Sequence, residues 1–356
     1  MQLSELLVPN LTIGLDLGDR VSRTCEVDAG GSVVKRASVA TTPAGLERYF
    51  GERDRCRVIL EVGTHSPWVS RRIEALGHEV VVANPSAVYG SRRRKKRNDD
   101  MDAEFLARQG RVDTTLLHPI RHRGSEAQAH LSLLRGRDQL VRARTKLINH
   151  VRGSVKAVGG RIPGGSTESF PSRAIREIPG ELGMVLEPLL ETIESLTVRI
   201  RGMDRQIEAV IDAEYPEARH LQQIPGVGPI TSLAFVLLIE DPERFERSRE
   251  VGSYFGLVPR LDESSTSQPQ LRITKAGDEL GRRLLVSAAH YILGPFGPEC
   301  DLRGKGEQLM ERGGKNAKKR AVVAVARKLA VMMHRLWVSD APYDPHFVSK
   351  KKQRVA

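Results

Sequence analysis

The order of secondary-structure signals between residues 11 and 85 restricts the fold more than any other feature of the chain. LTIGLDLG (11–18), RTCEVDA (23–29) and SVVKRASVA (32–40) are rich in β-branched and apolar residues, with a Gly30–Gly31 turn between the second and third. They read as a three-stranded antiparallel meander. Residues 43–51 read as a short helix, RVILEVG (57–63) as a strand and WVSRRIEALG (68–77) as an amphipathic helix. HEVVVANP is a strand stopped by Pro85. A further helix opens near residue 99, because AEFLARQ consists largely of good helix formers. Such an order gives a mixed sheet with helices on its faces.

This is the order of the ribonuclease H-like fold, and it gives meaning to two acids. Asp16 lies inside the apolar first strand, and Glu61 near the end of the fourth. Burying a carboxylate among apolar residues is costly unless it is paired or metal-bound. In this topology the first and fourth strands are neighbours and the late helix packs near their ends. Asp99 and Asp102, at i and i+3, share a face of that helix. Asp16, Glu61, Asp99 and Asp102 are therefore expected to converge. Carboxylates side by side repel unless a cation intervenes. Hard oxygen ligands select Mg²⁺ or Mn²⁺, and two such ions would stabilise the attacking and leaving oxygens of a phosphodiester displacement. The purely structural alternative is that Asn98 or Asp99 caps the helix and the strand-end acids bond loop amides. Asp19, Asp100 and Glu104 are expected to be solvated.

The charge balance points to a polyanionic partner. The 56 Lys and Arg outnumber the 44 Asp and Glu, leaving +12. Six consecutive cations, Arg92, Arg93, Arg94, Lys95, Lys96 and Arg97, stand just before the acidic helix start. Aromatic residues make up only 4% of the chain, so grip on phosphates is expected to outweigh base stacking. Cys25, Cys56 and Cys300 are far apart and lack metal-ligand spacing, which fits a reducing cytoplasm and neither a disulfide framework nor a zinc site. No signal peptide is evident. No apolar run approaches the roughly 18 residues of a membrane helix.

From 124 to 158 the pattern is helical and basic, with an apolar stripe at Leu134, Val141, Ile148, Val151, Val155 and Val158. Gly and Pro break residues 159–180 into a loop and small connector. A second long helix spans about 182–213. There Leu186, Leu189, Ile193, Leu196, Ile200, Met203, Ile207 and Val210 alternate spacings of three and four, a coiled-coil seam. The two helices are expected to pair as an antiparallel arm, or between subunits of a homo-oligomer. A helix packed on an ordinary core would show a similar stripe.

IPGVGPITS (224–232) is a Gly-rich turn between helices. In a helix–hairpin–helix, Gly226 and Gly228 would let the backbone approach a DNA phosphate; a bare helical corner would need the same glycines. LDESSTSQPQLRITK (261–275) is polar and aperiodic. It reads either as a surface loop or as a loop presenting a serine nucleophile, with Arg272 or Lys275 on the phosphate oxygens. No local histidine supplies a base, and His290 sits on an apolar helix where it is expected to be packed. Lys315, Lys318, Lys319 and Arg320 open a last helix with an apolar face at Val322, Val325, Leu329, Met332 and Leu336. Residues 341–356 read as a mobile basic tail.

With these residues in view, the chain resembles the DEDD transposases of bacterial insertion sequences: the one-hundred-and-ten family, its eleven-eleven subgroup, and the related Piv-type DNA invertases. RNDDMDA resembles that family's K-x-D-x-x-D-A helix start. IPGVGPITS, GLVPR, ESSTSQPQLRITKAGD, GRRLLVSAAHYILGPFG and AKKRAVVAVARKLAVMMHRLW resemble its transposase domain. The resemblance implies a RuvC-like metal-dependent domain over 1–120, a coiled-coil arm over 121–217, a mainly helical transposase domain with a helix–hairpin–helix over 218–340, and a tail over 341–356. It implies that Asp16, Glu61, Asp99 and Asp102 hold the metal. It further implies that Ser264, followed by Ser265 where the family usually has glycine, forms a covalent link to DNA. The implied partners are the element-end and target DNA, a non-coding bridge RNA that pairs with both, and further copies of the chain. The runner-up reading is a RuvC-like structure-specific endonuclease such as a junction resolvase. A third is a non-catalytic nucleic-acid-binding protein.

Overall fold

Strand-forming sequence and glycine turns produce the expected sheet. A computed structural model describes residues 10–84, 98–260, 271–347 and 349–350. The chain divides into two units, Met1–Arg123 and Gly124–Ala356. The first contains β1 (Leu11–Asp16), β2 (Val21–Asp28), β3 (Val33–Ala40), α1 (Pro43–Phe50), β4 (Arg57–Glu61), α2 (Ser66–Ala75), β5 (Glu79–Ala83) and α3 (Asp99–Val112). The strand order is β3-β2-β1-β4-β5. β1 pairs antiparallel with β2, and β2 with β3, while β1 pairs parallel with β4, and β4 with β5. The β2–β3 turn needs a left-handed residue and finds it in Gly31, at φ 89°.

Strand alternation sends side chains to two faces. Ile13, Leu15, Val58 and Leu60 pack with Leu46 and Phe50 of α1 and Val69 and Ile73 of α2. The opposite face carries Ile59, Cys25 and Val27, which meet Ala103, Leu106 and Ala107 of α3. Two glycines let α3 lie close. A Cβ on Gly14 would sit 1.9 Å from the Ala103 carbonyl oxygen, and one on Gly110 would sit 2.2 Å from Ile59 Cγ1. One buried acid, Glu26, faces α1. It accepts hydrogen bonds from the Tyr49 hydroxyl (2.7 Å) and the Arg53 guanidinium (2.9 Å). Burial pushes this carboxyl up, but the two hydrogen bonds outweigh burial and hold it below the usual carboxylate range.

Among its described residues the second unit has helices and one short bridge. It comprises α4 (Ser125–Ala157), α5 (Phe170–Glu177), α6 (Gly180–Glu214), α7 (Pro216–Leu221), α8 (Pro229–Ile239), α9 (Val251–Tyr254), α10 (Glu279–Ile292), α11 (Asp301–Glu311) and α12 (Ala317–Ser339). α4 and α6 run antiparallel. Arg137 binds Asp204 at 2.6 Å, and Arg144 donates to Thr197 at 3.1 Å. The roots of the pair share one core with the C-terminal helices, joining Leu131, Leu134, Ile207 and Ile211 to Phe235, Leu285 and Leu329. The outer part has its own core around Ile148, Val151, Phe170, Leu186 and Ile193.

The buried row of α6 differs from the expected seam. Leu186, Ile193, Ile200 and Ile207 are buried as anticipated, but Leu190, Thr197 and Ile211 take the alternate positions. Leu189, Leu196, Met203 and Val210 are only half-buried. The reason is polar. Thr197 donates to the Ile193 carbonyl and accepts from Arg144, so a hydroxyl sits in the core where a count of apolar residues finds nothing. Val158 lies beyond the end of α4 and is exposed, not part of its stripe. His290 is likewise exposed on α10. In the segment after α12, expected to be a mobile tail, described residues are tied down: the Ala341 carbonyl lies 3.0 Å from His220, the Pro345 carbonyl accepts from the Asp301 amide, and Ser349 bonds Asp301. No helix among the described residues is long and apolar enough to cross a membrane.

Candidate carboxylate site and basic cavity

The sheet register places two of the four candidate acids side by side. β1 and β4 are parallel neighbours with Leu15 opposite Leu60, so Asp16 and Glu61 are the next residues on adjacent strands, whose backbones lie about 4.8 Å apart. Both are half-buried. Asp16 shares its strand face with Gly14, and Glu61 shares its own with Ile59; this is the face that α3 covers. α3 begins at the same end. Arg23, the register partner of Asp16 on β2, approaches Asp100 in the first turn of α3 at 3.8 Å.

The capping duty at this helix start falls to Asn98, whose side chain accepts from the Met101 amide at 2.8 Å. Asp99 is therefore not spent on the cap. It is exposed, and Asp102 is half-buried one turn on. Glu104, expected to be solvated, instead bridges Arg108 at 2.8 Å and Arg36 at 2.6 Å. The bonds from Arg108 and Arg36 keep its carboxyl below the usual range. Asp19 faces His65 at 3.3 Å.

The carboxylates of Asp16, Glu61, Asp99 and Asp102 are hard oxygen donors, of a kind that suits Mg²⁺ or Mn²⁺ and not a thiophilic metal. Among the described residues, no three His, Cys, Asp or Glu side chains are gathered tightly enough to hold an ion. The backbone thus brings the four acids to one end of one sheet face, while the side chains are not closed around a common point. The run Arg92–Arg97 lies outside the described residues, as does Ser264.

The residues bracketing the segment that bears Ser264 are firmly held. Pro259 and Ile273 form an antiparallel bridge, the Arg260 amide donates to the Arg272 carbonyl at 3.0 Å, and the Thr274 amide donates to the Val258 carbonyl at 2.9 Å. Beyond the bridge the two chain segments cross so closely that only glycine fits. A Cβ on Gly277 (φ 77°) would sit 2.0 Å from the Tyr254 carbonyl oxygen. Lys275, between these points, is itself in the left-handed region at φ 55°, a conformation that costs a non-glycine residue about 1–3 kcal/mol and persists only where the surroundings enforce it.

Pro259, Leu271, Arg272, Ile273 and Lys275 form one wall of a cavity of about 1910 Å³. α11 and α12 with the residues flanking them, Tyr343–Phe347, Ser349, Arg249 and Leu257 supply the rest of the described lining. Among the described residues, ten Arg or Lys side chains line it against three carboxylates. Four of the ten, Arg272, Lys275, Lys319 and Arg320, are candidates from the sequence. Lys315 and Lys318 are exposed but are not part of the lining. Sequence reasoning missed Arg249, Lys305, Arg312, Arg327, Lys328 and Arg335. The signal for α12 was present: 319/320, 327/328 and 335 recur at steps of seven or eight, one face of a helix opposite Val322, Val325 and Leu329.

The glycine turn stands apart from this lining. It joins α7 to α8, and Gly226 at φ 82° packs on α10, where a Cβ would meet Tyr291 Cδ1 at 3.0 Å. A Cβ on Gly228 would meet nothing within 4 Å, so the backbone there is open to approach.

Comparison with known proteins accounts for both halves of the chain. A DEDD transposase model of the IS110 type matches residues 13–158, and the model described as "Transposase IS116/IS110/IS902 family" matches residues 218–299. The "Probable family 20 transposase" of Pseudomonas aeruginosa is 29% identical over 341 residues, covering 94% of this chain and 98% of that protein. The "Transposase for insertion sequence element IS1111A" of Coxiella burnetii is 29% identical over 343 residues, covering 93% of this chain and 90% of its own. The "Pilin gene-inverting protein" of Moraxella bovis is 31% identical over 150 residues, which cover 41% of this chain and 45% of that protein. With both models matched in order and relatives aligned end to end, the chain belongs to the IS110/IS116 family of transposases and is a DNA transposase.

Proposed function

We propose that this transposase excises and inserts its own element by a serine-linked, metal-dependent route, directed by a non-coding RNA that pairs with donor and target DNA. The observation that carries the reading is the wall of the basic cavity. The residues on either side of the segment bearing Ser264 form that wall, so a DNA phosphate drawn in by the cations would lie beside those flanking residues. In the proposed step the Ser264 oxygen attacks the scissile phosphorus. One P–O ester to the DNA strand breaks as one to serine forms, the serine proton passes to a base, and the released strand oxygen takes up a proton. Exchanging ester for ester conserves the bond energy needed to rejoin a new strand.

Asp16, Glu61, Asp99 and Asp102 would hold the divalent ion or ions, which supply charge stabilisation for the phosphodiester oxygens. Carboxylate supply from two parallel strand ends and one helix start supports this assignment. The topology, with its antiparallel meander and two parallel strands, supports a RuvC-like domain. The open Gly228 backbone supports a helix–hairpin–helix that approaches a phosphate. The α4–α6 pair is proposed as the oligomerisation arm. Leu189, Leu196, Met203 and Val210, half-buried at steps of seven along α6, would form its contact row. RNA guidance suits a strongly basic chain with few aromatic groups, because pairing carries the sequence information while the protein grips backbone.

The test is a denaturing gel of the full-length protein with its element-end DNA, flanking RNA and Mg²⁺. Wild type is expected to give a protein–DNA adduct that Ser264→Ala lacks. Free nicked ends in both lanes would instead assign the protein to metal-only endonucleases.

A further inference from the structure

We infer that the cavity of the second unit is built for an unpaired DNA strand, with bases on its floor and phosphates on its rim. The inference rests on the proposed serine chemistry only in choosing DNA over RNA.

Size argues for a polymer. At about 1910 Å³ the cavity exceeds the roughly 300–1,000 Å³ of small-molecule sites. Charge argues for a polyanion, since among the described residues cations outnumber carboxylates by ten to three. On α12 the cationic row runs from Lys319 to Arg335, about 24 Å at 1.5 Å per residue. Among the described residues, Lys319, Arg327 and Lys328 form no ion pair, and all three are exposed.

The floor argues for a single strand. The same lining includes Leu309, Val323, Val331 and Met332, all partly exposed. A duplex stacks its base faces away and presents phosphates to a protein, so apolar floor beneath it would gain nothing. An unpaired strand has base faces to lay on apolar surface while its phosphates reach charged side chains. The wall formed by Pro259, Arg272 and Lys275 then sets that strand beside the residues that flank Ser264 in sequence, which, on the proposed serine chemistry, is why the strand is DNA.

The test uses the full-length protein and fluorescence anisotropy with a labelled 12-nucleotide single-stranded DNA, the same RNA sequence, and the corresponding DNA duplex. The variant is Lys319→Ala/Arg327→Ala/Lys328→Ala. Each lost phosphate contact lowers the salt slope by about 0.7 for a single strand, so the triple variant is expected to lose about 2 from its slope with single-stranded DNA. Between 50 and 200 mM salt it would lose affinity about 16-fold less steeply than wild type. Lys319→Arg/Arg327→Lys/Lys328→Arg, which keeps the charge, is expected to restore the slope, excluding a folding defect. Duplex affinity is expected to change less.

An unchanged slope in the alanine variant would overturn the proposal, as would an equal loss on the duplex or tighter binding of the RNA strand. Ser264→Ala is expected to bind the single strand as wild type does. A failure of the serine reading would therefore appear in the adduct gel, and a failure of the cavity reading in the salt slope.

Discussion

Replacing Gly14 by alanine tests how the fold places its acids. The added Cβ would sit 1.9 Å from the Ala103 carbonyl oxygen and 2.6 Å from the Ala107 amide nitrogen, both backbone atoms of α3. Ordinary contact begins at 3.4 Å, so α3 must withdraw from β1 by about 1.5 Å, the difference between 3.4 and 1.9. Overpacking of this kind costs about 3 kcal/mol, the upper part of its usual range. In a unit of this size that lowers the melting temperature by about 10 °C. Asp99 and Asp102 ride on α3, and a displacement near 1 Å at a reacting centre can lower the rate about 100-fold. Gly110→Ala is the control. Its Cβ would meet the Ile59 side chain, at 2.2 Å from Cγ1 and 2.3 Å from Cδ1, and no backbone atom, so that clash is shared between side chain and helix and displaces α3 less. The gain in helix propensity, about 0.5–1 kcal/mol, offsets part of the cost. Scanning calorimetry and DNA cleavage on both variants decide the matter. Equal losses in the two variants, or full cleavage by Gly14→Ala, would refute the claim that α3 backbone contact with β1 sets the acid positions.

Two further perturbations follow from buried charges. Glu26 titrates below its unfolded value of about 4.3, so its stabilisation is present above that pH and fades as pH falls through the folded pKa. Glu26→Gln is expected to be less stable than wild type at pH 7 and to show a flatter acid-unfolding curve below about pH 4; parallel curves would contradict this. Asp138, buried on α4, takes Arg142 at 2.9 Å and Arg283 of α10 at 2.7 Å. Both arginines are partly exposed, so Asp138→Ala is expected to cost about 2 kcal/mol, between the surface and buried limits, measured by urea unfolding; no change would mean the pairs are fully screened.

The strands, their order and the acidic helix start were legible because each rests on local chemistry: β-branched alternation, a Gly–Gly turn, and helix formers after Asn98. The placement of Asp16 beside Glu61 followed from topology once the strand order was read. What stayed hidden is what periodicity cannot see. Thr197 enters the core because Arg144 answers its hydroxyl across α4 and α6, a contact between residues 53 apart. Glu26 is buried because Tyr49 and Arg53 reach it from α1 and the turn that follows. Among the described residues the cavity gathers cations from four stretches of sequence, at 249, 272–275, 305–312 and 319–335, and only its α12 row has a spacing that sequence could reveal. The tying of Ala341 to His220 and of Ser349 to Asp301 likewise depends on partners more than 40 residues distant.

The central claim is that Asp16 and Asp102 act together in metal-dependent cleavage. Full-length Asp16→Asn and Asp102→Asn, each incubated with element-end DNA and Mg²⁺, measure it on a denaturing gel beside a filter-binding assay. The expected result is loss of cleavage in both with DNA binding retained, because only ion ligation is removed. Cleavage at the wild-type level in either variant would contradict the account.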